Sequence, residues 1–458
     1  MKTKRNLIQI CLLGAMLLQA ATSGAQPVTK IAAGYYHSLF LKSDGSLWAM
    51  GYEYYGELGD GTYSFASTLP EQTVVSNVTT IAAGYEHSLL LKRDGSLWAM
   101  GLNSTGQLGD GTYNKTNRAE RIVTNGVTAI AAGYYHSLYL KSYGSLWAMG
   151  GNYYGQLGDG TYSTNAPYGT NSPEEIVASN VTAIAAGTYH SLFLKSDGSL
   201  WAMGYNRDPN PFLNTGIGQL GDGTYNNTNR PEEILASNVT AIAAGREHSL
   251  FLKSDGSLWA MGWNSSGQLG DGTYNNTNRP EQIVASNVTA IAAGGQHSLF
   301  LESDGSLWAM GNDGAGQLGD GKYIARGPNR PEQIVASNVA AIAAGDAHSL
   351  FLKSDGSLWA MGSNGGQLGD GTLTSTNRPE QILAAYNQIF GQLLGGTNMQ
   401  LSFVGIANAN YALDRSFSLA PPNWLPQVTN PANSFGALVF TNPPNPATNN
   451  FWRIRSVP

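Results

Sequence analysis

The sequence predicts an all-β protein, a seven-bladed β-propeller of four-stranded antiparallel blades followed by a small β-sandwich-like domain. Three observations carry that expectation. The unit AIAAGGQHSLFLESDGSLWAMGNDGAGQLGD, residues 290–320, recurs in seven near-copies with histidines at His37, His87, His136, His190, His248, His297 and His348. Their spacings of 50, 49, 54, 58, 49 and 51 residues match the period of a propeller or solenoid array. Each copy also holds four short strand-like runs, in which Leu, Phe, Trp and Met fall on both faces rather than on alternate positions. A strand that is apolar on both faces is covered on both, as in a blade sandwiched between neighbours in a ring.

In chain order, residues 1–25 read as a secretory signal peptide. Lys2, Lys4 and Arg5 form a basic head, Leu7 to Leu18 a short apolar core, and Ser23-Gly24-Ala25 a small-residue cleavage site. The apolar run is too short for a membrane span. Processing removes Cys11, the single cysteine, which excludes disulfides, thiol catalysis and cysteine-ligated zinc from the mature protein. The net charge moves from −6 to −9 as the three basic residues leave. An acidic chain without a basic block is unsuited to nucleic acid, and no later stretch is long and apolar enough to span a membrane. The 57 glycines recur at fixed places in the repeat, so they mark tight turns rather than disorder.

Residues 26–385 are expected to form the propeller. In the seventh copy the strand-like runs are PEQIV (Pro331 to Val335), VAAIAAG (Val339 to Gly345), HSLFLK (His348 to Lys353) and SLWAMG (Ser357 to Gly362). Ser-Asp-Gly joins the last two as a hairpin, its glycine supplying the positive φ; the third copy has Tyr143 for the aspartate but keeps Gly144. Only Ala-Ser-Asn separates PEQIV from the following VTAIAAG, so these two runs are expected to be hairpin neighbours. The 19 residues from Asn312 to Arg330 would then cross between blades. In that order the mature chain begins at a second strand, at Val28, and Pro379 to Leu383 pairs with it to close the ring. A parallel solenoid would need caps and gives no reason for such complementary ends.

The motifs G-x-x-H-S-L-F-L, D-G-S-L-W-A-M-G and G-Q-L-G-D-G-T, in that order and period over Val28 to Leu383, resemble regulator of chromosome condensation repeats. The resemblance implies a seven-bladed propeller. The chain departs from the eukaryotic founder in carrying an export signal and no basic N-terminal tail. Those departures set aside the founder's roles, nucleotide exchange on a nuclear GTPase and chromatin binding. A similar propeller in a secreted bacterial β-lactamase inhibitor implies instead a protein-binding surface. Beyond the repeats, residues 386–458 read as short strands (Gln400 to Val404, Tyr411 to Leu413, Ala437 to Phe440, Phe451 to Ile454) between Asn/Pro turns. This segment resembles the small β modules that end many exported bacterial proteins.

Residues that repeat sevenfold are read as structural. Catalysis needs unlike groups in one asymmetric constellation, and seven equivalent His-Ser pairs offer none; the imidazoles are expected to bond backbone groups. The aspartates of G-D-G (Asp60, Asp110, Asp159, Asp222, Asp271, Asp320, Asp370) stand singly among glycines, unlike the alternating oxygen ligands of a calcium loop. They are read as turn-formers. Trp48, Trp98, Trp147, Trp201, Trp259, Trp308 and Trp359 are read as core. Asn-Val-Thr at Asn77, Asn180, Asn238 and Asn287 reads as the turn rather than a glycan acceptor. Neither a metal nor a cofactor is expected.

What differs between copies points to function. The two positions before each histidine carry Tyr35, Tyr36, Tyr85, Tyr134, Tyr135 and Tyr189 in the first four copies, but no tyrosine in the last three. The stretch after W-A-M-G adds Tyr54, Tyr55, Tyr153, Tyr154 and an insertion, Tyr205 to Ile217, that holds Phe212. Successive turns of an antiparallel blade alternate between ends, so both variable sets lie on one face and the invariant turns on the other. Tyrosine offers a large rigid ring with a hydroxyl, which suits recognition. The reading is an exported, non-enzymatic and monomeric protein, periplasmic, surface-bound or secreted, that binds a protein or glycan. Two alternatives stand beside it: a polysaccharide lyase or hydrolase using the unrepeated Glu53, Glu86, Arg246 and Glu247, or a structural spacer.

Overall fold

The computed structural model describes residues 26–73, 75–207 and 216–384 in full, and six strands beyond them by their backbone. The expected signal peptide and Phe212 lie outside the described residues. No helix among the described residues is long and apolar enough to cross a membrane. The chain divides into two compact units.

In the larger unit seven four-stranded antiparallel sheets form a seven-bladed propeller. The first blade holds β1 (Val28–Ala33), β2 (His37–Lys42), β3 (Leu47–Tyr52) and β4 (Ala66–Gln72), hydrogen-bonded in that order. β2 and β3 are built from Leu, Phe, Trp and Met, residues that suit a pleated surface packed on both sides. Their hairpin turns on Gly45 at φ 78°, whose amide donates to the Lys42 carbonyl at 2.9 Å. In the third blade Tyr143 and Gly144 both take positive φ, 74° and 72°, so the turn survives the loss of aspartate.

The strand order departs from the expectation. The PEQI run is the outer strand of the blade that precedes it: in the fifth blade Trp259 faces Gln282 and Ala260 faces Glu281. Pro379 to Leu383 accordingly lies in the outer strand of the seventh blade, Thr376–Leu383, and does not pair with the first. The misreading concerned reach. Three extended residues carry the chain roughly 13 Å from strand end to strand start, close to the roughly 14 Å across three inter-strand spacings. Ala-Ser-Asn thus passes from the outer edge of one blade to the inner edge of the next, beneath the Ser-Asp-Gly turns. At the first such crossing the Val78 amide donates to Gly45 O at 3.2 Å and the Arg93 amide to Asn77 O at 2.9 Å. Its asparagine takes φ between 60° and 71° at Asn77, Asn180, Asn238, Asn287 and Asn338.

The ring closes without a shared strand. The Asp346 amide donates to Gly34 O at 3.2 Å, the same bond that joins Tyr35 to Gly84 O and Tyr85 to Gly133 O at 3.1 and 3.2 Å. One layer out, each histidine Nε2 meets the serine hydroxyl of the next blade: His37 to Ser88 at 2.9 Å, His190 to Ser249 at 3.0 Å, and finally His348 to Ser38 at 2.9 Å. Each serine spends its single proton on a loop carbonyl, Ser88 on Glu57 O at 2.8 Å and Ser298 on Gln268 O at 2.7 Å. The imidazole Nε2 must therefore be the N–H donor. The partner of each histidine is a serine of the neighbouring blade, not the backbone expected from the sequence. All seven Nδ1 atoms are buried without a partner among the described residues. Each ring packs on the glycine three residues earlier; a Cβ at Gly34 would lie 2.6 Å from the His37 ring. Burial holds the imidazoles neutral, with pKa pushed down to about 3, or about 4 at His248.

Between blades lie apolar layers such as Leu250, Leu252, Leu258 and Leu269 of the fifth blade against Val288, Phe300 and Met310 of the sixth. Each such large side chain contributes about 1.5–3 kcal/mol when fully buried. The G-Q-L-G-D loop joins these layers: Gly59, at φ 75°, sits where a Cβ would be 2.2 Å from the Met100 sulfur of the next blade. The tryptophans are half-buried at the blade surface rather than central to the core. Trp48 stacks on Phe40 at 6.0 Å, and the Lys42 ammonium covers it at 3.7 Å. The aspartates cap their own loops, as in Thr112 N to Asp110 Oδ1 at 2.8 Å.

The second unit contains two three-stranded antiparallel sheets. One orders Ile389–Leu393, Met399–Val404 and Ala437–Asn442; the other places Asn410–Ser416 between Leu425–Pro431 and Phe451–Val457. Ile389–Leu393 and Leu425–Pro431 were not anticipated as strands.

Candidate binding face

Each histidine is preceded by a residue whose carbonyl holds the start of the blade's long loop. Tyr52 N donates to Tyr36 O at 2.9 Å, Leu102 N to Glu86 O at 2.7 Å, Gly151 N to Tyr135 O at 2.7 Å and Tyr205 N to Tyr189 O at 2.8 Å. This clamp sets the two variable segments side by side on one face of the ring, as the alternation of turns requires. Tyr35, Tyr85, Tyr134, Thr188, Arg246, Gly295 and Asp346 ring the mouth of a central cavity of about 100 Å³.

The predicted tyrosines, linked by Tyr52, which was not predicted, form one connected ribbon over the first four blades. Successive ring centroids are separated by 6.3 Å (Tyr54–Tyr52), 5.8 Å (Tyr52–Tyr36), 4.2 Å (Tyr36–Tyr35) and 4.4 Å (Tyr35–Tyr85). The ribbon continues through Tyr85–Tyr134, stacked at 3.6 Å, then Tyr134–Tyr189 at 5.9 Å and Tyr189–Tyr154 at 5.0 Å. Tyr55, Tyr135 and Tyr153 branch from it at 5.0, 4.4 and 4.7 Å. Tyr36, Tyr54 and Tyr153 are exposed at 39, 54 and 48%. Tyr35, Tyr55, Tyr85, Tyr134, Tyr135, Tyr154 and Tyr189 are half-buried. Tyr205, predicted as a binding residue, is buried at 4% and packs against Tyr154 at 4.3 Å with the rings tilted by 48°, so it supports the ribbon from within rather than offering a surface. Burial raises the hydroxyl pKa of Tyr35 and Tyr134, and that of Tyr189 to about 12. These hydroxyls are neutral donors.

The four unrepeated polar residues fall in two sets, Glu53 and Glu86 acting on Glu57, and Arg246 and Glu247 acting on Tyr189. Glu53 is buried inside its own loop, where Thr62 and Ser64 donate to it at 2.7 and 2.5 Å. Burial and a bond shared with Asp60 push its pKa up to about 7. Arg246 is exposed at the mouth, and its charge opposes the rise that burial imposes on Asp346. Glu247 acts on Tyr154 and Tyr189. No group of three or more His, Cys, Asp or Glu side chains suited to a metal occurs among the described residues.

Two features escaped the sequence reading. A rim of tyrosines is exposed at Tyr63, Tyr113, Tyr162 and Tyr225 of the repeated G-T-Y stretch and at Tyr323, where the copy reads G-K-Y. Tyr323 donates to Ser375 O of the next blade at 3.0 Å. The other is Glu57, which stands where six copies have glutamine; that exchange was visible in the motif as GELGD against GQLGD.

The architecture is that of a repeat-built β-propeller, and comparison with known proteins agrees. The RCC1-like domain matches residues 15–235. The regulator of chromosome condensation (RCC1) repeat matches residues 255–301 and 304–352, and a second description of that repeat matches 239–268, 288–317 and 339–366. The chain belongs to the regulator of chromosome condensation repeat family. Among solved structures it is similar to human WBSCR16, with 24% identity, a TM-score of 0.66, and 74% of this chain and 94% of that chain covered. It is likewise similar to Prp20p of Saccharomyces cerevisiae, with 22% identity, a TM-score of 0.64, and coverage of 80% and 89%. At these identities the likeness concerns the fold.

Proposed function

We propose that this is an exported, non-enzymatic recognition protein that holds its partner on the tyrosine ribbon over blades one to four. The single observation that supports this most is the contrast between faces. Eleven tyrosine rings neighbour one another across one face, whereas among the described residues the opposite turns offer Tyr143 alone, 93% exposed. Aromatic anchors surrounded by polar groups are the usual carriers of binding energy at interfaces. The structure of Prp20p was determined together with its binding properties to Gsp1p and histones; here the acidic charge and the leader-like segment argue for a different partner outside the cytoplasm. The expected partner is a protein or a glycan. The test is affinity capture from culture medium and envelope extract with the mature protein. A Tyr36→Ala/Tyr54→Ala/Tyr153→Ala variant should lose at least about tenfold in retention, whereas Tyr143→Ala should retain the partner fully. Equal retention by both variants would refute the face.

A further inference from the structure

Each junction between adjacent blades uses the same three positions: the glutamine of G-Q-L-G-D, the residue two before it, and the residue before the next histidine. Between the fifth and sixth blades these are Gln268, Ser266 and Gln296. They are neutral and bonded to one another, with Ser266 N to Gln268 Oε1 at 3.0 Å and Ser266 Oγ to Gln296 Oε1 at 3.1 Å. Between the first and second blades all three differ: Glu57, Tyr55 and Glu86. Glu57 is 1% exposed. Its Oε2 accepts the Tyr55 amide at 2.9 Å, and its Oε1 has no partner among the described residues. Glu86 is 7% exposed at the same junction, two residues from Ser88, whose hydroxyl donates to Glu57 O at 2.8 Å. Among the described residues the ion pairs within 4.0 Å involve Lys322 and not these carboxyls.

Glu86 acts on Tyr52, Tyr55 and Tyr85, and Tyr36 neighbours both Tyr52 and Tyr85. Tyr36 lies 5.8 Å from Tyr52 and 6.4 Å from Tyr85, and both carboxyls act on Tyr52 and Tyr55. Burial pushes Glu57 up to about 8, with Glu86 and Glu53 adding to the rise, and burial alone pushes Glu86 up to about 7. Two buried carboxyls without a cation resist ionisation, and an entering cation would relieve that cost. The protein already places a cation against one ring of this set: Lys115 Nζ is 5.1 Å from Tyr55, and 4.9 and 4.7 Å from Tyr54 and Tyr63.

We infer that the junction of blades one and two is a receptor for an organic cation, the lysine or arginine side chain of a protein partner. Glu57 and Glu86 supply charge-assisted hydrogen bonds, and the four tyrosines supply cation–π faces. This rests on the recognition face proposed above and narrows the partner to a protein with an exposed basic residue.

Nuclear magnetic resonance titration of the full mature chain tests it, with Nα-acetyl-lysine methylamide and Nα-acetyl-arginine methylamide as probes and the norleucine analogue as neutral control. Glu57→Gln installs the residue of the other six junctions and Glu86→Gln matches Gln296, so the double variant keeps a repeat-compatible fold. The cations, and not norleucine, should shift resonances of Tyr36, Tyr52, Tyr55 and Tyr85, and the double variant should bind at least about tenfold more weakly. Equal binding by the double variant, no cation-specific shift in the wild type, or shifts from a neutral sugar such as N-acetylglucosamine in place of the cations would overturn the assignment. Those outcomes leave the recognition face standing if the exposed tyrosine variants still lose the captured partner.

Discussion

Tyr36 and His37 are adjacent in the chain and belong to different circles around the same axis. The circle of His37 is the same in every blade: imidazole, serine hydroxyl and loop carbonyl, fully buried and closed on itself by Ser38 and His348. The circle of Tyr36 has Glu86, Tyr135, Tyr189, Glu247, Gln296 and Ala347 at its other six positions. A ring of identical blades meets the same packing problem seven times, and one residue solves it each time. On the proposed reading a partner meets the ring on one side only, so the residues that face it need not agree. Repetition thus marks what holds the disc together, and departure from it marks what the disc offers.

The widest separation of the two circles should come with acid. The seven imidazoles have folded pKa values of about 3 to 4, below the unfolded value near 6.5. Protons therefore prefer the unfolded chain, and the stability these groups allow is complete above pH 6.5 and lost as pH falls. Glu53, Glu57, Glu86 and Asp313 are raised to about 7 to 8 and act the other way, holding protons in the folded state. The seven imidazoles outnumber the four carboxyls raised that far, so unfolding takes up protons between pH 6.5 and 4.5 and stability falls as pH drops. Urea unfolding across that window should show the midpoint falling steeply as pH drops; a midpoint that holds or rises would show the histidines are not buried as neutral groups.

Single residues of the buried circle come next. His248→Ala leaves the Ser298 hydroxyl without its N–H donor and should cost on the order of 1–3 kcal/mol. Ser38→Ala, at the seam where the chain ends meet, should cost the same as Ser191→Ala, because the bonds at the two sites are alike. A seam variant several kcal/mol worse would mean that closure rests on something other than this circle. Tyr134→Ala removes the stacked pair with Tyr85 and should cost about 0.5–1.5 kcal/mol. The smallest change is expected for Tyr54→Ala, at an exposed ring, within about 0.5 kcal/mol by urea titration.

The sequence disclosed the propeller because periodicity, two-sided strands and turn residues all pointed one way. It placed the two variable segments side by side as well, since turn alternation holds whichever strand comes first. The order of strands was lost on a single estimate of how far Ala-Ser-Asn can reach, and the closure argument fell with it. The serine partners of the histidines were hidden because they lie a whole repeat away, at separations from 50 to 59 residues or, at the seam, 310. Half-burial of Tyr135 and Tyr154 was hidden too, because rings from neighbouring blades cover each other only once the ring is assembled. Glu57 was legible, one letter off the repeat, and needed only a reading of departures inside the conserved motif as well as outside it.

The most direct test measures stability and partner retention on the same two proteins, the Tyr36→Ala/Tyr54→Ala/Tyr153→Ala variant and His248→Ala. A crossover is predicted. The tyrosine variant should unfold within about 1 kcal/mol of the wild type and lose the partner, while the histidine variant should lose about 1–3 kcal/mol and, where still folded, retain it. A tyrosine variant that keeps the partner, or a folded histidine variant that loses it, would contradict the division between the circle that builds the ring and the circle that uses it.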